Sequence, residues 1–348
     1  MLKILFSAAL LALSAAACAA PEAPSVAPVD ARHYVAGLGT GMLVSWASTE
    51  RGIREFDPLA VRDFQQRGIS HIGIRVSGEP TSRQLLHLRK IIEACVSYRV
   101  TPVIIWEGPA SGGLSENALA AWWSAVTRYF KGQYPQLGFM VLGESERDTR
   151  SAAALNHLYE GAQKVIHKID PQRIVILAPH LHAAPEMLPE LHWPAQGASQ
   201  VVAGWHLFGA GPQKVNGHTP WSKGTAAEKA AIHARIRAVV RWQQKTGRIT
   251  MISAFSPLTA SQGNTPAARS LATFVACELK QAHIPFMLAG DNRFYDGEEG
   301  AWRPEMSSLL DAVLHPVCPS PGSEPAAKPA AKPAQQPAPQ PVIPHRAG

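Results

Sequence analysis

The chain has 348 residues, 46% of them hydrophobic and 17% charged, with a formal net charge of +7. That composition excludes a disordered or fibrous protein and gives enough length for one large domain or two small ones. The basic balance (pI about 9.3) suits acidic glycans or membrane surfaces, but no Lys/Arg run and no nucleic-acid motif stands in the sequence, which describes a mildly basic exported protein.

Residues 1–20 begin with Lys3 and the apolar run "ILFSAALLALSAAA", followed by small residues. The run is too short to span a bilayer and has the build of a secretory signal peptide. Two fates are open. Cleavage can follow Ala19 in "ACA", or "SAAAC" can serve as a weak lipoprotein box, with Cys18 lipidated and attached to the membrane and Ala15 where such boxes usually carry Leu. Either way the chain is expected outside the cytoplasm: periplasmic, outer-membrane-attached or secreted. Residues 21–32 form a short leader. Residues 319–348 are rich in Pro and Ala with sparse charge, cannot bury a core, and are expected to be an extended, disordered tail. The folded part is then 33–318, about the size of one (β/α)8 barrel.

Within it, eight apolar runs alternate with longer amphipathic ones. The expected strands are 35–44, 71–76, 101–106, 137–142, 173–178, 200–208, 248–255 and 284–290. They are continuous rather than alternating, as strands buried on both faces should be. Helical patterns cover 58–67, 81–98, 115–131, 150–168, 226–245, 264–282 and 304–314; after the fifth strand "APEMLPEL" is short and irregular. This order predicts an α/β protein, a single parallel TIM barrel, with an open doubly wound sheet as the runner-up. The "GLGTG" of the first strand is not followed at once by a helix, so it is no dinucleotide fingerprint. Cys95 falls in an apolar helical pattern and is expected to be a buried free thiol. An oxidising compartment would pair Cys277 with Cys318 and pin the last helix. No spacing resembles a zinc site, and no cofactor is implied.

In such a barrel the chemistry lies at the strand C-termini. There the sequence reads "QQRGISHIGIRV", "WWSAVTRYFKGQYPQLGFMVLGESE", "LNHLYEGAQKVIHKIDPQRIVILAPHLHAAPEMLPEL", "VVAGWHLF" and "ITMISAFSP". Together these stretches resemble the family 5 glycoside hydrolases (cellulases and mannanases) over nearly all of 36–314, most specifically over 117–191. The resemblance implies a retaining hydrolase with an acid/base Glu after the fourth strand and a nucleophile Glu after the seventh, about 5–5.5 Å apart.

Carried over residue by residue, Glu144 stands at the acid/base position. The Asn before it is Gly143, the Pro after it is Ser145, and the nucleophile is replaced by Ala254. The second-strand Arg falls on Gly73, with Arg75 two residues later. The third-strand His falls near Gly108, after Trp106 and Glu107. The sixth-strand His is kept as His206, but its Tyr partner is Leu207, and the eighth-strand Trp aligns with about Ala289. A methyl group cannot attack an anomeric carbon, so the covalent route is closed at Ala254.

Asp291, just past the eighth strand, is a candidate substitute nucleophile or an ordinary loop Asp in "GDNRFYDG". Glu107 is a candidate base for an inverting mechanism, or a carboxylate that is coupled to Glu144 or merely solvated. His206 is a candidate substrate ligand or a satisfied polar residue. Trp106, Trp205, Phe208, Trp221 and Trp302 are candidates for sugar-stacking platforms, whereas Trp122 and Trp123 have the spacing of packing residues. His180 and His182 lack an evident third ligand and are expected to be non-metal. Three functions are left open: a non-hydrolytic pseudoenzyme binding a β-linked polysaccharide at the cell envelope, an active glycosidase or transglycosylase using Glu144 with a relocated carboxylate, and a scaffold.

Overall fold

The computed structural model describes residues 30–109, 113–143, 150–208, 223–256 and 263–319. Eight parallel strands close into a barrel in sequence order: β1 (Thr40–Ala47), β2 (His71–Val76), β3 (Thr101–Trp106), β4 (Gly138–Met140), β5 (Ile174–Leu177), β6 (Val201–Phe208), β7 (Thr250–Ser256) and β8 (Phe286–Leu288). β8 pairs with β1 through Thr40–Phe286, Gly41–Met287 and Met42–Leu288, which completes the ring. The expected barrel is therefore the fold, and the open sheet is set aside.

The first strand differs from its expectation. Residues 35 and 36 belong to a six-residue helix, α1 (Ala31–Ala36), and β1 starts only at Thr40. Asp30 caps α1 by accepting from the His33 amide, so residues 31 and 32, assigned to the leader, are helical. Helices α2 (Glu50–Glu55), α3 (Pro58–Gln66), α4 (Ser82–Ser97), α5 (Glu116–Phe130) and α6 (Ala152–Ile169) follow in turn. After β5 come the four-residue α7 (His180–Ala183) and a 3₁₀ segment over Pro185–Glu190, matching the irregular pattern there. Then come α8 (Ala226–Thr246), α9 (Pro266–Gln281), the single-turn α10 (Asp291–Phe294), a small hairpin of β9 (Tyr295–Asp296) and β10 (Ala301–Trp302), and α11 (Ser307–Leu314). Among the described residues no helix is long and apolar enough to cross a membrane.

Side-chain alternation divides the core into two shells. One lines the barrel interior and includes Leu43, Val103, Ile105, Met140, Ile176 and Met287. The other, larger shell lies between the strands and the helices. The base of the barrel is closed by α1, whose Tyr34 is buried against Gly138 at the start of β4; a Cβ there would collide with the Tyr34 hydroxyl. Near the end of the chain Cys277 on α9 is bonded to Cys318, tying down the segment after α11, and Cys95 is a buried free thiol. Burial pushes that thiol's pKa far above its ordinary value, so it packs as a hydrophobe.

Candidate functional site

The strands all point one way, so their C-terminal ends gather at one mouth. Alternation then decides which side chains enter it. On β2, Gly73 faces the packed interior: a Cβ there would lie 2.6 Å from both Leu43 Cδ2 and Met287 Sδ. Two residues on, Arg75 emerges exposed at the mouth and donates from Nε to Glu107 Oε1 at 2.6 Å. Arg75 occupies the mouth position, and Gly73 is a packing glycine beneath it. Glu107, in turn, is not merely solvated. It is the fixed partner of Arg75, with Ser77 Oγ 3.4 Å away.

Asp291 is not an exposed loop carboxylate either. It opens α10 and is buried, accepting from the Ser45 amide at 3.1 Å and approached by the Ser45 hydroxyl at 3.3 Å. The contact clasps the end of β1 to the segment after β8. Burial raises the Asp291 pKa, against the opposing pull of Ser45, the Asn292 amide and Arg75. A carboxyl biased toward its neutral form and already bonded to a neighbour is a poor nucleophile.

His206 lies beside Ala254 across the β6–β7 pairing, where the register shifts by one residue. The bulge lets Ala254 face the interior shell while Phe255 packs outward. Ala254 is 5% exposed, and its side chain offers only a methyl at the end of β7. His206 is buried, and its pKa is pushed down to about 3, first by burial and then by the charge of His182. It is thus neutral at ordinary pH, able to donate or accept a hydrogen bond but not to carry charge. The nearby His182 belongs to a strained turn: Leu181, His182 and Ala183 all have φ between 52° and 59°. Three successive non-glycine residues in the left-handed region cost free energy that the surrounding packing must offset, and such strain concentrates at functional loops. Nothing in the sequence pattern signalled this turn.

Gly143 sits where the resemblance puts an Asn. A Cβ there would lie 2.8 Å from Ile105 Cγ2, so β3 has closed over the space a side chain would need. The Gly143 amide donates to the Trp106 carbonyl at 2.6 Å. Glu144 and Trp221, and the side chain of Phe208, lie outside the described residues.

Three expected platforms pack against other side chains. Trp106 is 1% exposed and stacks on Trp122 of α5 with centroids 5.1 Å apart; Trp205 is fully buried, its indole N–H reaching Thr250 Oγ1 at 3.3 Å. Each is one residue off the inward-facing parity, so it points to the helix shell, and its successor, Glu107 or His206, enters the mouth. Trp302 packs on Phe64 and Tyr295 beneath Arg67. Trp122 and Trp123 are packing residues, as their spacing indicates. No group of three or more His, Cys, Asp or Glu side chains among the described residues is arranged to hold a metal. The mouth as described combines an Arg–Glu pair, a buried carboxyl, a neutral imidazole and a methyl.

No family model matches the chain, and no curated protein matches its sequence. Solved structures do match in shape. Endoglucanase Cel5A from Thermotoga maritima has a TM-score of 0.69 at 18% identity, with 82% of this chain and 100% of that one covered; the same enzyme is described in complex with mannotriose and with cellobiose. A GH5-4 broad-specificity endoglucanase from Clostridium longisporum gives 0.67 at 14% identity, covering 82% and 97%. The cellulose synthase subunit Z, CcsZ, from Clostridioides difficile gives 0.64 at 17% identity, covering 79% and 99%. At these identities the likeness is one of fold: the chain is built on the same (β/α)8 barrel as endoglucanases of glycoside hydrolase family 5.

Proposed function

We propose that this is an exported protein that receives a β-linked glucan at the barrel mouth and does not cleave it by the retaining route. The observation that carries the reading is Ala254. Its methyl faces the interior at the end of the seventh strand, the address at which the resemblance requires a nucleophilic carboxylate. The endoglucanase fold, and the cellobiose and mannotriose complexes of a neighbour with that fold, support a β-linked glycan as the ligand class. Relocation of the nucleophile to Asp291 or Glu107 loses support, because the first is buried on Ser45 and the second is bound to Arg75. The predicted signal segment supports export.

The test pairs calorimetric titration with cello- and mannohexaose and an assay for released reducing ends, on wild type, Glu144→Gln and Ala254→Glu. Wild type should bind at least one glycan and release no reducing ends, and Glu144→Gln should bind within about twofold. Wild-type turnover that disappears in Glu144→Gln would overturn the proposal. Neither binding nor turnover would leave the barrel as a scaffold.

A further inference from the structure

We propose that the base of the barrel, opposite the mouth, docks on an anionic phospholipid surface through a groove between the C-terminal ends of α5 and α6. The groove has a volume of about 590 Å³ and is lined by Ser124, Arg128, Lys131, Val165, Lys168 and Ile169. The three cations come from positions up to 40 residues apart, so no basic run betrays them in the sequence. All three are exposed at its rim, and the partly exposed Val165 and Ile169 form an apolar floor. Among the described residues none of the three has an ion-pair partner; Arg128 is held only by a 3.3 Å contact from its Nε to Ser124 Oγ. The carboxylate that follows the groove, Asp170, is turned inward and bonded to Arg173 at 2.7 Å.

A cation in the last turn of a helix is commonplace, because it complements the helix dipole. That accounts for Arg128 or Lys168 singly. It does not account for three cations converging on one concave surface with an apolar floor and no carboxylate in the lining. A phospholipid headgroup matches this chemistry, with phosphate oxygens for the cations and glycerol and first methylenes for Val165 and Ile169.

Position selects the bilayer over a soluble polyanion. In a parallel barrel the helices run from mouth to base, so the ends of α5 and α6 lie on the basal face. The same face receives the N-terminal chain, since α1 closes the base and Tyr34 lies against the start of β4, close enough to feel the charge of Arg173. From position 18 to Asp30, an extended chain spans at most on the order of 40 Å. A chain held at Cys18 would keep the groove at the membrane, and a basic patch is the second signal that stable lipid anchoring requires. The mouth would then open away from the bilayer. This inference does not depend on what the mouth binds.

The experiment is vesicle co-sedimentation with the full chain carrying Cys18→Ala, so that no lipid is attached. It compares pure phosphatidylcholine vesicles with vesicles containing 30% phosphatidylglycerol at low salt. Binding should require the anionic lipid. Arg128→Gln/Lys131→Gln/Lys168→Gln should weaken it roughly 100-fold, at roughly fivefold per basic side chain near the surface. A charge-matched control, Arg54→Gln/Arg83→Gln/Arg237→Gln, removes exposed cations elsewhere and should bind like the parent. Circular dichroism checks that both variants are folded. The inference is overturned by equal binding to both vesicle types, by equal losses in the two variants, or by no vesicle binding together with groove-dependent binding of soluble polygalacturonate.

Discussion

At the scale of single residues, the mouth is governed by parity and burial. Asp291 illustrates burial. The folded chain holds its proton to higher pH than the unfolded chain, because desolvation outweighs the Ser45 and Arg75 contacts. The stability gained from the neutral form is complete below the ordinary value of 3.8 and is lost as pH rises through the raised folded value. Asp291→Asn keeps an acceptor for Ser45 and removes the titration. Urea unfolding should show the variant gaining on wild type from pH 4 to pH 7; a gap that does not change with pH would show that the carboxyl is not held neutral. Parity explains what could be read beforehand. Counting to strand ends points to Glu107, His206 and Ala254, which stand at the ends of β3, β6 and β7. The burial of Trp106 and Trp205 is not legible in the sequence, because a continuous apolar strand, buried on both faces, carries no alternation to say which side chains look inward. The strained turn at Leu181–Ala183 was illegible for another reason: none of its residues is a left-handed specialist, and only tertiary packing imposes the conformation.

At the scale of elements, the turn between α5 and β4 is organised from outside itself. Arg173, just ahead of β5, is buried and donates to the carbonyls of Phe130, Gln133, Tyr134 and Leu137 and to the Asp170 carboxylate. Its guanidinium also lies 5.0 Å from the centre of the Phe139 ring. Arg173→Met would leave Asp170 charged and uncompensated and four carbonyls without their donor, so it should cost about 3–5 kcal/mol in denaturant unfolding. Adding Asp170→Asn should recover part of that loss; a double variant as unstable as the sum of the singles would mean the pair is not coupled. The "DPQR" turn was visible in the sequence, but its service to the preceding loop was not, since those contacts span 36 to 43 residues. The long elements were legible to within two or three residues because their periodicity is strong. The end of α1, residues 35 and 36, reads as strand because six residues are too few to show a helical period and the chain there runs apolar into β1. Its one local signal was Asp30, three residues before the His33 amide it caps.

For the whole molecule, the barrel encloses two imidazoles that it keeps neutral. His206 lies at the mouth and His71 near the base, where its ring fills the space left by Gly41 and its Nδ1 lies 3.0 Å from Ser70 Oγ. Burial pushes both down to about 3. The unfolded chain takes up these two protons near pH 6.5, and the folded chain refuses them until far lower pH. Their contribution to stability is therefore full above about pH 6.5 and is lost as pH falls toward 3. Each site costs about 1.4 kcal/mol per pH unit once the unfolded imidazole is charged, so the pair removes nearly 3 kcal/mol per unit. A domain with about 5–15 kcal/mol of total stability cannot bear that for long, and unfolding should set in near pH 4. The Asp291 carboxyl works in the opposite sense, while His167, whose pKa burial also lowers, adds to the loss. His71→Leu deletes one titration without touching the mouth, although it also trades a planar ring for a branched side chain and loses the Ser70 contact, and so lowers stability at every pH. What distinguishes the titration is the slope. Between pH 6 and pH 4.5, stability measured by urea unfolding should fall less steeply in His71→Leu than in wild type. Parallel lines, offset but equally steep, would show that His71 takes up its proton in the folded barrel and that the base is wetter than its packing implies.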